Sequence, residues 1–372
     1  MNIAIVEAVM ARLPHAVREA PLAPFTTYRL GGPAAVLIRA HTIEDLFEVR
    51  DVLAHMREGT ASTTDGVVMP DEVLVIGQGS NLLVGEDGFA GLVVVLDAEF
   101  DTIEMVTATE LRAGAAVKLP VLARRSASWG RGGLEWMVGV PGSVGGAVRM
   151  NAGGHGSDVA ANLIDVEIVD LLGAGARSDA VRCVPAAQLR LAYRRSDVSS
   201  TQVVVAARFS TTDASVSVLE ENIVEIVRWR RSNQPGGANC GSVFTNPTGD
   251  SAGRLIDAAG CKGLRIGSAS VSEKHANFIQ SDEHGRASDV WAAVGAVRRR
   301  VFDAFGIVLI PEVRTVGFDA TLEQLQHEQL QHEQPQPEQQ PEQQQQQPGD
   351  RHDQSTDGHP PKTGTNELGE TA

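Results

Sequence analysis

The length, composition and charge of the chain define a folded protein followed by a polar tail. Its 372 residues, 42% of them hydrophobic, are enough for two domains with a core between them. No run of about 18 apolar residues predicts a membrane span, and residues 1–21 lack the charged and apolar regions of a secretory signal. The net charge is −15, but residues 319–372 hold eleven acidic residues against two basic ones. The first 318 residues therefore carry only −6, with no basic face that would predict nucleic-acid binding.

The three cysteines are too few and too scattered for a disulfide framework. They are Cys183, Cys240 and Cys261, an odd number without a Cys-X-X-Cys pair. This pattern favours reduced thiols in the cytosol over disulfides or a zinc site. We therefore expect a cytoplasmic protein without a bound metal.

Short β-like runs alternate with helical stretches as far as residue 212. Thr42 and Asp45 form a capping box that begins a helix running towards Met56. A second helix is predicted from Lys118 to Trp129, ended by Gly130. The predicted strands, rich in Val, Ile and Leu, are 36–40, 73–77, 92–97 and 164–171.

The sequence changes character after residue 212. Ser217 and Glu220 form a second capping box, which predicts an amphipathic helix from Val218 to Ser232. Further elements are predicted as a short helix between Ser251 and Gly260, a helix over 289–305 and a strand over 308–316.

The segment after Phe318 has no pattern of a folded element. It contains Glu-Gln-Leu-Gln-His twice, then Pro-Glu-Gln runs and a block of five glutamines. Such polar, proline-rich sequence buries too little apolar surface to offset the entropy of ordering. The predicted fold class is α+β, with a nucleotide-type domain over 1–212, a smaller α+β domain over 213–318 and a disordered tail over 319–372.

Two glycine-rich loops carry the clearest chemical signal. The first, Gly77-Gln-Gly-Ser-Asn-Leu, begins like a Rossmann fingerprint but has Leu82 in place of the third glycine, and no helix is predicted to start there. The second runs Gly139-Val-Pro-Gly-Ser-Val-Gly-Gly-Ala and continues as Asn151-Ala-Gly-Gly-His-Gly. Two such loops expose backbone N–H groups that can clamp a diphosphate without a lysine. On these residues alone, a pair of tight turns without a ligand remains the alternative.

Six further motifs follow the same order along the chain as they do in a known family. They are Pro24-Phe-Thr-Thr-Tyr-Arg-Leu-Gly-Gly-Pro, Tyr193-Arg-Arg-Ser, Cys240-Gly-Ser-Val-Phe-Thr-Asn-Pro, Ala252-Gly-Arg-Leu-Ile-Asp, Val271-Ser-Glu-Lys-His-Ala-Asn-Phe-Ile and Ile310-Pro-Glu-Val-Arg. Together with the two loops, and over a range from about Pro21 to Gly317, they resemble the UDP-N-acetylmuramate dehydrogenase family, also called UDP-N-acetylenolpyruvoylglucosamine reductases.

The resemblance implies a fold and a reaction. The fold is an FAD-binding domain of two α+β subdomains, of the PCMH type, followed by an α+β substrate domain. The reaction is the reduction of UDP-N-acetylglucosamine enolpyruvate to UDP-N-acetylmuramate, a step of peptidoglycan synthesis, by a monomer. FAD is held without a covalent link, and NADPH donates the hydride. NADPH and the sugar nucleotide use one cleft in turn, and the residues themselves do not distinguish NADPH from NADH.

The resemblance also implies site residues. Arg194 and Glu312 match the pair that polarises the substrate carboxylate, and Ser242 matches the proton donor. The expected substrate contacts are Tyr193 and Asn246. The expected FAD contacts are Gly77, Gly79, Ser80, Asn81, Leu82, Gly142, Ser143, Gly146, Ala147 and Asn151.

One departure from the family concerns the grip on the uridine diphosphate. The chain has only two tyrosines and resembles the subtype that lacks an additional tyrosine-bearing loop. Arg230, Arg231 and Gln234 are candidates for this grip, while Lys274 fits a phosphate contact or a plain loop contact. Two other functions stay open at this point: an oxidase with flavin attached to His155, and a nucleotide-binding module without catalysis.

Overall fold

The structure is a computed structural model that describes residues 3–59 and 73–318. The predicted tail lies outside the described residues. The helices of the described part are α1 (Ile3–Arg12), α2 (Ile43–Gly59), α3 (Leu119–Ser128), α4 (Val144–Met150), α5 (Val216–Asn233), α6 (Ala252–Ala258) and α7 (Ala287–Phe305). The strands are β1 (Val17–Pro21), β2 (Pro33–Ala40), β3 (Val73–Ile76), β4 (Leu82–Val84), β5 (Phe89–Leu96), β6 (Ile103–Thr107), β7 (Glu110–Gly114), β8 (Arg131–Gly132), β9 (Gly153–Gly154), β10 (Ser157–Asp158), β11 (Leu163–Asp170), β12 (Val181–Pro185), β13 (Gln202–Ser210), β14 (Thr212–Asp213), β15 (Arg265–Ile266), β16 (Ala269–Val271), β17 (Ile279–Ser281) and β18 (Arg314–Val316).

The first sheet positions the first glycine-rich loop. Its strand order is β1-β2-β5-β3, antiparallel between β1 and β2 and parallel in the other two pairings. Leu46, Val49 and Leu53 of α2 are fully buried in the core beside this sheet. The predicted capping box is confirmed, because Thr42 N–H donates to Asp45 at 2.9 Å and Asp45 N–H donates to Thr42 Oγ1 at 3.3 Å. The loop from Gly77 follows directly from the end of β3, whose buried apolar residues fix where the loop begins.

The second sheet positions the second glycine-rich loop. It is antiparallel, in the order β12-β11-β13-β7-β6. Helix α3 is confirmed within its predicted range, and Gly130, at φ +68°, follows its end. The loop leads into α4, and the N–H groups of Val144 and Gly145 donate to the carbonyls of Val117 and Ala115 at 2.9 and 3.0 Å. These bonds fix the loop against the segment that follows β7.

The third group of elements is built around the antiparallel sheet β15-β16-β17 with helices α6 and α7. Ala293, Val294, Val297 and Val301 form the buried stripe of α7, as the predicted periodicity requires. The end of the described chain does not stay with this sheet. Strand β18 pairs in parallel with β4, so the chain returns to the segment just after the first glycine-rich loop.

Two local predictions are wrong. Helix α5 begins at Val216, so Ser217 lies inside it; the N-cap is Ser215, whose Oγ pairs with Ser217 Oγ at 2.9 Å and makes no capping bond. The predicted strand 308–316 forms only as β18. Pro311, which has no N–H to donate, lies before it in an isolated bridge with Phe244.

The domain limits stay a prediction, but the packing of helix α5 differs from what a boundary at residue 212 implies. Its Leu219 and Ile223 belong to the core beside the second sheet, together with Leu122 of α3. By packing, α5 therefore continues the first domain, which favours a boundary after Asn233 over one at residue 212. Among the helices of residues 3–59 and 73–318, none contains an apolar stretch of the length that spans a bilayer.

Candidate active site

A cavity of about 870 Å³ lies between the glycine-rich loops and the third group of elements. Thirteen predicted site residues line it: Gly77, Gly79, Ser80, Asn81, Leu82, Gly142, Ser143, Gly146, Ala147, Arg194, Ser242, Asn246 and Glu312. These residues come from segments as far apart in the sequence as Gly77 and Glu312. The fold therefore brings together most of the motifs that the sequence analysis singled out.

The two glycine-rich loops lie directly against each other. Ser80 Oγ donates to the carbonyl of Pro141 at 3.0 Å. A Cβ on Gly77 would lie 2.3 Å from Ser143 Oγ, closer than real contacts allow. Gly142, at φ +136°, has a backbone conformation that other residues rarely adopt. Glycine at these two positions therefore lets the loops meet at one wall of the cavity without displacing Ser143 or straining the backbone.

This wall fits a phosphate-bearing cofactor such as FAD. Ser143 is only 1% exposed, yet its Oγ has no hydrogen-bond partner among the described residues. A buried hydroxyl without a partner is costly, so a polar ligand group is expected to supply one. Arg149 and Arg314 line the same cavity, and neither forms an ion pair within the described part of the chain. Burial, and then Arg314, lowers the pKa of Arg149. Two neighbouring guanidinium groups without a carboxylate suit an anion.

Replacing Gly142 with alanine should weaken FAD binding. The substitution strains the backbone at φ +136° and puts a Cβ 3.0 Å from Ser80 Oγ, at the junction of the loops. We expect a cost of about 1–3 kcal/mol and a dissociation constant for FAD raised about tenfold, measured by titrating the apoprotein. Gly156→Ala is the matched control, because Gly156 also has positive φ but meets nothing within 4 Å. Equal loss of FAD from both variants would show that strain alone, and not the junction, controls binding.

Arg194 and Glu312, which both line the cavity, form an ion pair. Arg194 Nε lies 2.8 Å from Glu312 Oε1, and the two side chains are 23% and 13% exposed. The N–H is not aligned for a hydrogen bond to that oxygen, so the contact is ionic. Arg194 Nη2 donates to the carbonyl of Gly153 at 3.1 Å, which links the pair to the second loop. The guanidinium is thus oriented by its contacts with Glu312 and with the second loop.

The backbone of Arg194 is strained. Ala192 and Arg195 exchange two hydrogen bonds of 3.0 Å, so Arg194 lies in a tight turn, at φ +57°. A non-glycine residue in this region costs about 1–2 kcal/mol. Backbone strain of this kind is typical of functional sites, where the surrounding structure holds a residue in place. The Arg194 side chain lines the cavity.

Glu312 is positioned by the first loop and by the serine motif. Its carbonyl accepts a hydrogen bond of 3.0 Å from Asn81 Nδ2, and its N–H donates to the carbonyl of Val243 at 2.7 Å. Burial raises the pKa of the Glu312 carboxyl, and Arg194 opposes that rise. The carboxyl therefore holds its proton to a higher pH than an exposed glutamate.

Ser242 lies in a segment fixed by a buried asparagine that sequence reasoning missed. Asn277, 3% exposed, accepts from Phe244 N–H at 2.9 Å and donates to the Phe244 carbonyl at 2.8 Å. Its own carbonyl accepts from Val243 N–H at 2.9 Å. Asn277 belongs to the motif Val271-Ser-Glu-Lys-His-Ala-Asn-Phe-Ile. The sequence signal that could have identified it is a polar residue between Ala276 and Phe278 in a buried stretch.

Two predicted site residues do not line the cavity. Asn151 is buried at φ +40°, and its amide is used within the protein: Nδ2 donates to Asp158 at 3.1 Å and to the Ala192 carbonyl at 3.0 Å, while Oδ1 accepts from Ala160 N–H at 2.9 Å. It therefore supports the turn that carries Arg194. Tyr193 is 59% exposed, and the Arg194 guanidinium lies over its ring, with Cζ 5.2 Å from the ring centroid.

Other lining residues were missed as functional candidates. Arg149 follows Gly-Gly-Ala-Val in the second loop, and Arg314 ends the Pro-Glu-Val-Arg motif. A cationic residue in or next to each motif is the sequence signal that could have identified both as ligand contacts. Trp229 was missed as well. It lines the cavity together with His155, the residue named above for flavin attachment in an oxidase, and the two ring centroids lie 5.2 Å apart with the rings edge to face. Burial, and then Arg230, lowers the pKa of His155.

The comparisons with known proteins place the chain among FAD-binding proteins. A family model described as an FAD binding domain matches residues 69–176. A model described as the UDP-N-acetylenolpyruvoylglucosamine reductase C-terminal domain matches residues 233–316, which begins at the end of α5. Both glycine-rich loops fall in the first match, and Ser242 and Glu312 fall in the second.

Curated relatives and a solved structure give the family. A UDP-N-acetylenolpyruvoylglucosamine reductase of Paramagnetospirillum magneticum is 37% identical over 300 residues, 80% of this chain and 91% of the relative. One of Acidiphilium cryptum is 40% identical over 80% of this chain and 90% of the relative. The crystal structure of the reductase from Thermus caldophilus matches with a TM-score of 0.65 and 32% identity, over 81% of this chain and 98% of that one. The chain belongs to the UDP-N-acetylenolpyruvoylglucosamine reductase family, which confirms the predicted family and fold class.

Proposed function

We propose that the protein reduces UDP-N-acetylglucosamine enolpyruvate to UDP-N-acetylmuramate with NADPH, through non-covalently bound FAD, in peptidoglycan precursor synthesis. The observation that carries the proposal is the meeting, in one cavity, of the Arg194–Glu312 pair and Ser242 with a glycine-rich wall that fits FAD. The glycine-rich wall with Ser143 would hold FAD, which when bound would supply the hydride chemistry between NADPH and the enolpyruvyl double bond. The protein binds and orients the ligands and manages the charge and the proton.

Arg194 and Glu312 act on the carboxylate of the enolpyruvyl group. When hydride adds to one carbon of the double bond, negative charge develops on the other carbon and on the carboxylate attached to it. The planar guanidinium of Arg194 suits a carboxylate, and its charge is worth most in a site sheltered from water. The raised pKa of Glu312 allows its protonated form to donate a hydrogen bond to the same carboxylate.

Ser242 supplies the proton that completes the reduction. Its hydroxyl is a weak acid, but a carbanion is basic enough to accept a proton from it. Ser242 follows Gly241, whose N–H donates to Asn239 Oδ1 at 3.0 Å, and precedes the segment fixed by Asn277, so its backbone is held on both sides. Asn246 lines the cavity while its Oδ1 accepts from Ala252 N–H at 3.0 Å, which leaves its Nδ2 for the substrate. The assignment of Tyr193 as a substrate contact rests on its motif.

The place and state of the enzyme belong to the same proposal. The family acts on small molecules, and we propose that it does so here as a monomer in the cytoplasm. Cys183, Cys240 and Cys261 are all free thiols, as expected for a reducing compartment. Light scattering of the purified protein checks the monomer, and a dimer at micromolar concentration would contradict it.

An anaerobic flavin spectrum tests the proposed reaction. Purified protein should be yellow, should bleach when NADPH is added, and should regain its colour when UDP-N-acetylglucosamine enolpyruvate follows. Bleaching without recovery would move the substrate elsewhere and favour the oxidase. Folded protein that stays colourless after incubation with FAD would refute the enzyme. Flavin released by acid precipitation would further separate the reductase from an oxidase with flavin bound to His155.

A further inference from the structure

The turn that carries Arg194 is attached to the end of helix α4 on both of its sides. On one side, Asn151 Nδ2, just beyond the helix, donates to the carbonyl of Ala192 at 3.0 Å. On the other side, Ser196 Oγ donates to the carbonyl of Arg149, in the last turn of the helix, at 2.7 Å. The two bonds bracket Arg194 and hold its turn against α4.

Helix α4 also forms part of the wall that fits FAD. The helix is seven residues long, and Ser143, whose buried hydroxyl has no partner among the described residues, is its N-cap. Gly146 and Ala147 of the helix line the cavity. The FAD wall and the turn of Arg194 are therefore fixed to opposite ends of one short helix. The distance from a ligand on this wall to the guanidinium depends on the bonds that hold the turn to the helix.

A strained turn needs such bonds to keep its orientation. The two hydrogen bonds that Ala192 and Arg195 exchange close the turn around Arg194, at φ +57°, but they do not attach it to the rest of the protein. Ser196 is half-buried, and its Oγ also accepts from Val198 N–H at 3.4 Å. One hydroxyl therefore links the turn, the helix and the segment that follows. Ser196 itself does not line the cavity.

We propose that Ser196 is a positioning residue for Arg194, because its hydroxyl ties the turn to α4 and so aims the guanidinium at the substrate carboxylate. This inference rests on the proposed function, in which Arg194 acts on that carboxylate. It gives a role to the last residue of the Tyr193-Arg-Arg-Ser motif, which the proposed chemistry does not use. A group that stabilises developing charge acts only when it is held in place beforehand, and a displacement of about 1 Å can cost about 10²-fold in rate.

Ser196→Ala tests the proposal, because it removes the bond to the Arg149 carbonyl and leaves every residue of the cavity lining in the sequence. We expect single-turnover reoxidation at saturating substrate to slow about tenfold to a hundredfold. The FAD content and the rate of flavin reduction by NADPH should match the wild type. Ser210→Ala is the matched control, because Ser210 Oγ also donates to a carbonyl distant in the sequence, that of Asn162 at 3.1 Å, and does not line the cavity.

Two further readouts separate positioning from a general effect on the fold. If Ser196 acts through Arg194, adding Ser196→Ala to Arg194→Gln should slow reoxidation by less than about twofold more. Arg194 lowers the pKa of Glu312, so a displaced guanidinium in Ser196→Ala should move the fall of the reoxidation rate to higher pH. Burial raises the pKa of Cys240, which lies near Glu312, to about 12, so this thiol stays neutral at lower pH.

Reoxidation of Ser196→Ala within twofold of the Ser210→Ala control would overturn the proposal, as would a double variant in which the two losses multiply in full. Loss of FAD, or equal slowing of both half-reactions, would assign Ser196 to the folding of the second loop and would overturn it as well. All of these results leave the proposed function standing if the wild-type flavin still bleaches with NADPH and recovers with the sugar nucleotide.

Discussion

Replacing Ser242 with alanine should stop the second half of the reaction and leave the first half intact. Reduction of the flavin by NADPH needs no proton from Ser242, so the bleaching rate should match the wild type. Recovery of the colour needs the proton that completes the reduction of the substrate, and a positioned acid is worth about 10²–10⁴ in rate. We therefore expect reoxidation by the sugar nucleotide to slow by about that factor.

Stopped-flow absorbance of the flavin measures both half-reactions in one protein. Thr245→Val is the matched control, because Thr245 belongs to the same motif but its hydroxyl donates to the carbonyl of Ile310 and does not line the cavity. The control should reoxidise at the wild-type rate. Equal slowing of both half-reactions in Ser242→Ala would contradict the role of proton donor and indicate a damaged flavin site.

Replacing Arg194 with glutamine should slow reoxidation about 10²–10³-fold, as expected when a preorganised donor to developing charge is removed. The neighbouring Arg195→Gln is the matched control. The Arg195 side chain is 73% exposed, with Nη2 3.9 Å from Asp197 Oδ1, and it does not line the cavity. Its replacement therefore removes the same charge from the same turn and leaves the cavity lining unchanged. Single-turnover reoxidation at saturating substrate compares the two variants. A control that slows as much as Arg194→Gln would show that the charge of the turn matters and not the side chain in the cavity.

The pH dependence of the reoxidation rate tests the role of Glu312, the partner of Arg194. Burial raises the pKa of Glu312, and the proposed role needs its protonated form, so reoxidation should fall as the pH rises through that pKa. Glu312→Gln should abolish this limb of the profile. Arg194 lowers the pKa of Glu312, so in Arg194→Gln the limb should move to higher pH. A limb that stays in place in both variants would assign the titration to another group.

The same raised pKa affects stability with a definite sign. The folded protein binds the Glu312 proton more tightly than the unfolded chain, because burial outweighs Arg194. This contribution to the free energy of unfolding is therefore complete below the unfolded pKa and is lost as the pH rises through the folded pKa. Glu312→Gln should remove this part of the pH dependence in chemical denaturation.

Local elements were predictable because their signals act within a few residues. Thr42 and Asp45 form the capping box that begins α2, and Gly130 and Gly306 follow the ends of α3 and α7 in the left-handed conformation. The same kind of signal failed at Ser217, because the helix begins two residues earlier than predicted, with Ser215 as its N-cap residue.

The sequence by itself determined the family, the two glycine-rich loops and the identity of the three proposed catalytic residues. The loops follow from the glycine spacing, and the family and the three residues follow from short motifs that resemble those of the family. The tertiary structure alone decided that Arg194, Ser242 and Glu312 share a cavity, and that α5 packs into the core shared by α3 and the second sheet. Such contacts depend on which faces of distant elements bury apolar surface together, and β18 reaches β4 only through a pairing 232 residues apart in sequence, Arg314 with Leu82. No local pattern encodes that pairing, because its free energy comes from segments that meet only after folding.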